Sequence, residues 1–355
     1  MEDETGEFER AVREFVTTLS DSHSDLTPPS DEPSTDDILS WVLRNDENTA
    51  FLRQATRLIA ILAEGYPDRL ADTIDQLVPL LDHEDRTVRR QVGNALGYVA
   101  AHRPQPLIED RSLIVAKLRT DPAIQRQMAW IVASFAEPYP DRLEETVPQL
   151  ATLLDDNDRI TANHAARAIA HIAAYDPAAT EQVRQPLLAL LHHPETYREA
   201  ARALAAMVPE YSDGVLENII EQLETGPPTQ REHAAWAIAE IAKRHPSLFT
   251  DEVDQIIDRI VTEDYHQVVD HLSGAIRNIV GEYPEIGLHA GRTLLDSDDG
   301  YVSQHGCLII GEVALNHRDR RAITTLEKVA ETADSKMVRS PARDILAELE
   351  ANTEQ

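Results

Sequence analysis

The sequence predicts an all-α protein, an α-solenoid of about nine antiparallel helix pairs over residues 36–355. Three features carry that expectation: one self-contained helix–turn–helix stretch, a regular spacing of helix terminators, and apolar columns that recur from unit to unit. The stretch runs from Leu77 to Pro104. Leu77, Val78, Leu80 and Leu81 close a first helix, and Asp82 to Thr87 make an acidic turn of short polar side chains. Val88, Val92, Ala95, Leu96 and Val99 then return at helical spacing. A single hairpin of this size cannot bury its own apolar surface, so it needs copies on either side.

The terminators mark those copies. They fall at Pro67, Pro104, Pro140, Pro177, Ser212, Pro246, Pro284 and Arg318, a period of roughly 36 residues. Tyr66-Pro67-Asp68-Arg69-Leu70 returns two periods later as Tyr139-Pro140-Asp141-Arg142-Leu143. Proline suits the first turn of a new helix, where its missing N–H would have no intrahelical partner.

Taken in order, residues 1–20 form an amphipathic helix with Phe8, Ala11, Val12, Phe15, Val16 and Leu19 on one face. It is expected to cap the first repeat, with a tethered hook for a partner as the alternative. Residues 21–35 lack a core pattern and hold three prolines, which predicts a flexible linker. From Ile38–Leu43 onward the helix pairs run to Leu349. Aligned on Leu96, the second helices show an apolar column of Ile59, Leu96, Val132, Ile169, Leu204, Ile238, Ile276, Ile310 and Leu346. A second runs through Leu62, Val99, Phe135, Ile172, Met207, Ile241, Ile279, Val313 and Leu349. A third is small, with Gly97, Ala133, Ala170, Ala205, Ala239 and Gly311, and lets the neighbouring unit pack closely.

Composition narrows the function. With 42% hydrophobic but only 5% aromatic residues, the core must be aliphatic and rich in alanine. No apolar run reaches membrane-spanning length, and the acidic start lacks a signal-peptide pattern, so a cytoplasmic protein without a membrane partner is expected. Cys307 is the single cysteine, and no zinc spacing or H-E-x-x-H occurs. Neither a phosphate-binding glycine loop nor a G-x-S-x-G elbow is present. The reading therefore carries no catalytic residue, metal or cofactor. A net charge of −30 opposes docking on nucleic acid or anionic lipid. Lysine is scarce, with Lys117, Lys243, Lys328 and Lys336 its four positions; dense carboxylates with few lysines point to a halophilic source.

The run Leu80-Leu81-Asp82, then Asp85-Arg86-Thr87-Val88-Arg89, then Ala95-Leu96-Gly97, resembles a HEAT repeat, and Val338-Arg339 repeats the Val-Arg pair. The resemblance covers roughly residues 36–350, extends to armadillo-like repeats, and implies a right-handed α-α superhelix. It implies that Asp85 in the turn pairs with Arg89. It also implies that the second helices line a concave groove. HEAT-like proteins include protein scaffolds, adaptors between taxis signalling and motility, phycobilin lyases and alkylpurine DNA glycosylases. Scaffolding, with a protein or helical peptide in the groove, is the expected work; nucleic acid and small molecules are disfavoured as partners.

The strip left free on the second helices holds the candidate binding residues. One column contains Gln91, His164, His233, His271 and His305, four of the fourteen histidines. The adjacent column contains Arg57, Asn94, Trp130, Arg167, Arg202 and Trp236, and Tyr98 lies one turn on. Tryptophan and arginine dominate binding hot spots, so these residues are the expected anchors. If the acidic surface is an adaptation to salt, which screens self-repulsion, the melting temperature should climb steeply between low and molar KCl. A curve insensitive to KCl would count against a halophilic source.

Overall fold

The computed structural model describes residues 2–29, 33–211 and 214–352; the expected terminator Ser212 and linker residues 30–32 lie outside them. Among the described residues, every regular element is helical and no strand occurs. The chain divides into two compact units, Met1–Thr180 and Glu181–Gln355.

The first unit holds α1 (Glu2–Ser22), α2 (Thr35–Leu43), α3 (Thr49–Gly65), α4 (Arg86–His102), α5 (Arg111–Thr120), α6 (Gln125–Ala136), α7 (Val147–Leu154) and α8 (Arg159–Tyr175). Helices α3, α4, α6 and α8 pack in series, each against the next. The shorter segments between them lie against their own second helices, α5 on α6 and α7 on α8. The segment before α4, Ile74–Asp82, is a 3-10 helix rather than the α-helix that the pattern suggests. Pro79 sits inside it, and a proline there removes an α-helical hydrogen bond and crowds the preceding turn.

The second unit holds α9 (Arg184–Leu190), α10 (Tyr197–Tyr211), α11 (Val215–Thr225), α12 (Pro228–Arg244), α13 (Val253–Thr262), α14 (His266–Val280), α15 (Pro284–Leu295), α16 (Gly300–His317), α17 (Arg320–Thr332) and α18 (Lys336–Ala351). Here α10, α12, α14, α16 and α18 pack in series, each with its preceding helix alongside.

Four of the second helices stop in one way. Tyr66, Arg103, Asp176 and His245 each precede a proline and share φ between −139° and −136°. Each donates its N–H to the carbonyl four residues back, at 2.7–2.8 Å. Proline disfavours the helical conformation for the residue before it, and at these four positions the X-Pro dipeptide coincides with the stop. Arg318, which has no proline after it, ends α16 in the left-handed conformation instead (φ 52°, ψ 32°). Its guanidinium donates to the carbonyl of Leu349 at 3.2 Å.

Both apolar columns are buried from Ile59 through Val313; in the last helix Leu349 is buried and Leu346 is half-buried. The small column has a specific cause at Gly97. A Cβ there would run into the ring of Trp130 on α6, and at Gly311 it would run into Ile345 on α18. Helix α1 extends two residues past its expected end and lies on α3. Val12, Phe15 and Leu19 are buried there, the Phe8 ring meets Tyr66 edge-on at 5.2 Å, and Gln54 donates to Ser22 at 3.1 Å.

Asp85 and Arg89 take different partners from those the resemblance implies. Asp85 accepts from Arg53 of α3, with Nε at 2.9 Å, while Arg89 reaches forward to Asp121, with Nε at 2.6 Å. Arg126 likewise reaches Asp158 at 2.6 Å, and Arg231 grips Glu263 through two bonds of 2.9 and 2.7 Å. All four pairs span 32 residues. The reason is geometric. Each acid is already turned inward to accept backbone N–H groups at the start of its own helix, Thr87 and Val88 for Asp85 and Ile160 for Asp158. Its remaining lone pairs face the preceding second helix, not the arginine one turn along.

Glu263 is the most enclosed of these acids. Burial raises its pKa, but bonds from Arg231, Arg259 and the Tyr265 N–H outweigh burial and hold it at about 2. A carboxylate with a depressed folded pKa stabilises fully above its unfolded value and loses that contribution as pH falls through the folded one. Glu263→Gln should therefore cost about 3 kcal/mol at neutral pH. In denaturant titrations, the gap from wild type should narrow progressively below about pH 4.

Candidate functional site

Rings and guanidinium groups line one strip of the second helices in each unit. In the first unit, Gln127 of α6 donates to Asn94 of α4 at 3.0 Å, and Asn94 donates to Gln91 at 3.5 Å. This chain of amides fixes α4 against α6. One turn on, Tyr98 meets Trp130 edge-on at 5.0 Å, and Trp130 stacks on His164 of α8 at 6.4 Å with a 20° tilt. Gly97 makes the room, since the indole lies where any side chain at that position would project. Trp130 remains half-buried, with one part of the indole facing solvent.

His164 has a side chain whose Nδ1 is buried without a hydrogen-bond partner. Burial and then the nearby charge of Arg167 lower its pKa to about 4, so it is a neutral ring at ordinary pH. Arg167 is half-buried on the same helix, one turn further on. Arg57 stands exposed on α3 and joins none of these ring contacts.

In the second unit, Tyr197 stacks on His233 at 4.0 Å and meets Trp236 edge-on at 5.7 Å. Arg202 lies over the Trp236 ring at 5.9 Å and donates to Glu199 at 2.8 Å. Arg198 covers Tyr197 and donates to its hydroxyl at 3.0 Å. His233 is buried and donates through Nδ1 to the carbonyl of Leu191 at 2.7 Å. Burial lowers the pKa of His233, His271 and His305 alike. His305 approaches Asp270 at 3.1 Å, and Tyr301 donates to the same carboxylate. Burial, then Asp270, pushes the Tyr301 hydroxyl up to about 12. His266 stacks on Tyr301 at 4.1 Å.

The strip thus gathers Gln91, Asn94, Tyr98, Trp130 and His164 in one unit. In the other it joins Arg202, His233 and Trp236 through Tyr197, and seats His305 beside Tyr301 and Asp270. Tyr197, Tyr301, Asp270 and His266 are contributors that column alignment passed over. A readable signal existed: the stacked partners lie about one period apart in sequence, as Tyr197 and His233 or His266 and Tyr301 do.

Cys307 is buried, and burial pushes its thiol up to about 11, far from a reactive thiolate. Among the described residues, no three His, Cys, Asp or Glu side chains are grouped to hold a metal ion. No described helix is long and apolar enough to cross a membrane. No protein-family model matches the chain, and no curated protein matches its sequence.

The buried neutral state of His164 has a pH signature. Its folded pKa lies below the unfolded value, so the unfolded chain binds a proton that the folded one refuses between about pH 6.5 and 4. Stability should fall by up to about 3 kcal/mol across that window through this group alone. His164→Phe keeps a ring against Trp130 and should remove about one proton from the pH dependence measured by chemical denaturation.

Proposed function

We propose that the chain is a HEAT-like, right-handed α-solenoid of about nine helix pairs, acting as a non-catalytic scaffold or adaptor in the cytoplasm of a halophile. Its partner is a protein or helical peptide held against the exposed strip of the second helices. The observation that carries this reading is the state of the two strip tryptophans. Trp130 is held by Tyr98 and His164, and Trp236 by Tyr197 and Arg202, yet both keep part of the indole open to solvent. Rings fixed in advance lose little freedom on binding, which is what an anchor residue needs. The repeated architecture supports the same reading, because stacked helix pairs present an extended face suited to an elongated partner.

The test is affinity capture at high salt from the native host, comparing wild type with Trp130→Ala, Arg167→Ala, Arg202→Ala and Trp236→Ala combined. A discrete partner should be captured by wild type and lost by the combined variant, with helicity retained. Substituting exposed acids on the first helices, such as Glu221 and Glu327, should leave capture intact. Equal loss from those control substitutions would sink the scaffold reading.

A further inference from the structure

Gly274 sits in the interior of α14, where glycine weakens a helix relative to alanine. The other interior glycines of the paired helices have a packing reason. A Cβ at Gly93, Gly97, Gly287, Gly291, Gly306 or Gly311 would meet a neighbouring atom at a distance that real Cβ atoms do not show. A Cβ at Gly274 would meet nothing within 4 Å. Nothing in the fold requires this glycine, and its φ is not positive. It lies in the strip column of Trp236 and Arg202, at the one position where that column has no side chain.

The missing side chain leaves a recess of about 380 Å³ over Gly274 and Ala239. Its floor is held in place by Asn278, which donates to the Ala239 carbonyl at 3.1 Å. Asp270, Glu312, His271 and Arg277 form its walls. Burial lowers the pKa of His271, and the remaining charged walls are two carboxylates and one guanidinium. The Asp270 side chain is 46% exposed although it also holds His305 and Tyr301. Glu312 accepts one bond, from Asn316 at 3.1 Å, and has further lone pairs free. The excess of negative charge in the walls agrees in sign with the net charge of −30.

We infer that the Gly274 recess is a subsite of the binding strip that takes a basic side chain, lysine or arginine, from the partner. This rests on the scaffold reading and adds the chemistry of what the strip recognises. The bare floor lets the long aliphatic stem lie against the helix, and the charged end reaches Asp270 and Glu312.

The probes are a lysine-bearing alanine-based helical peptide and its glutamate-bearing counterpart, titrated by calorimetry against the full chain. Wild type should bind the lysine peptide and not the glutamate peptide. Gly274→Leu fills the recess without changing charge, and should weaken binding by about tenfold or more. Glu312→Gln should weaken it by about threefold. Gly274→Ala should raise the melting temperature, which shows that the glycine is not there for stability. Because Gly274→Leu keeps the net charge, equal binding by it and wild type would mean diffuse electrostatic attraction and overturn the subsite. Absence of lysine-peptide binding, or preference for the glutamate peptide, would overturn it too. Host-partner capture separates the two levels. Capture kept by Gly274→Leu but lost by the four-alanine strip variant removes the subsite and leaves the strip, whereas capture kept by both removes the strip as the partner's site as well.

Discussion

The arrangement depends on an acid that serves two helices at once. Asp85 and Asp158 each accept backbone N–H groups at the start of one second helix and an arginine from the second helix before it. Asp121 and Glu263 do the same for the residues two positions on, Ala123 and Tyr265. A helix N-terminus has unpaired donors and a partial positive charge, so the carboxylate is held in place before the arginine arrives. The arginine then fixes the relative position of two neighbouring helices. Such a bond is worth little when exposed and more when enclosed, so the Arg231–Glu263 pair should matter more than Arg53–Asp85.

With neighbouring helices fixed in that way, the side chains one period apart face each other. Tyr98 and Trp130, Trp130 and His164, and Tyr197 and His233 are contacts between adjacent second helices, about one repeat apart in sequence as the ion pairs are. The aromatic strip is a by-product of register. Four of its histidines share one trait: His233 is buried, His164, His271 and His305 are half-buried, and burial lowers the pKa of each.

Much of this was legible in the sequence. The X-Pro dipeptides gave the helix stops because proline acts on its immediate neighbour, and the apolar columns gave the buried faces because helical periodicity is local. Gly97 announced close packing, although only coordinates show that Trp130 is what fills the space. Two things were not legible. The partner of Asp85 depends on the direction its second lone pair takes after capping, which no spacing within a single turn reveals. The 3-10 form of Ile74–Asp82 was signalled by Pro79, but the apolar pattern alone does not distinguish the two helix types. Gly274 was visible only as an odd member of a column, and its meaning needed the empty space around it.

The seating of Trp130 makes the first unit optically self-reporting. Its indole rests in the hollow left by Gly97, edge-on to Tyr98 and stacked with the His164 ring. Three successive helices therefore meet at one chromophore. Any slide of α4 or α8 past α6 moves a neighbouring ring relative to the indole and alters its emission, while Trp41 stays enclosed in the core and provides a steady background. With Trp236 of the other unit replaced by phenylalanine, flexing of this unit under load, salt or an arriving partner can thus be followed without a label, with the fluorophore at the joint it measures.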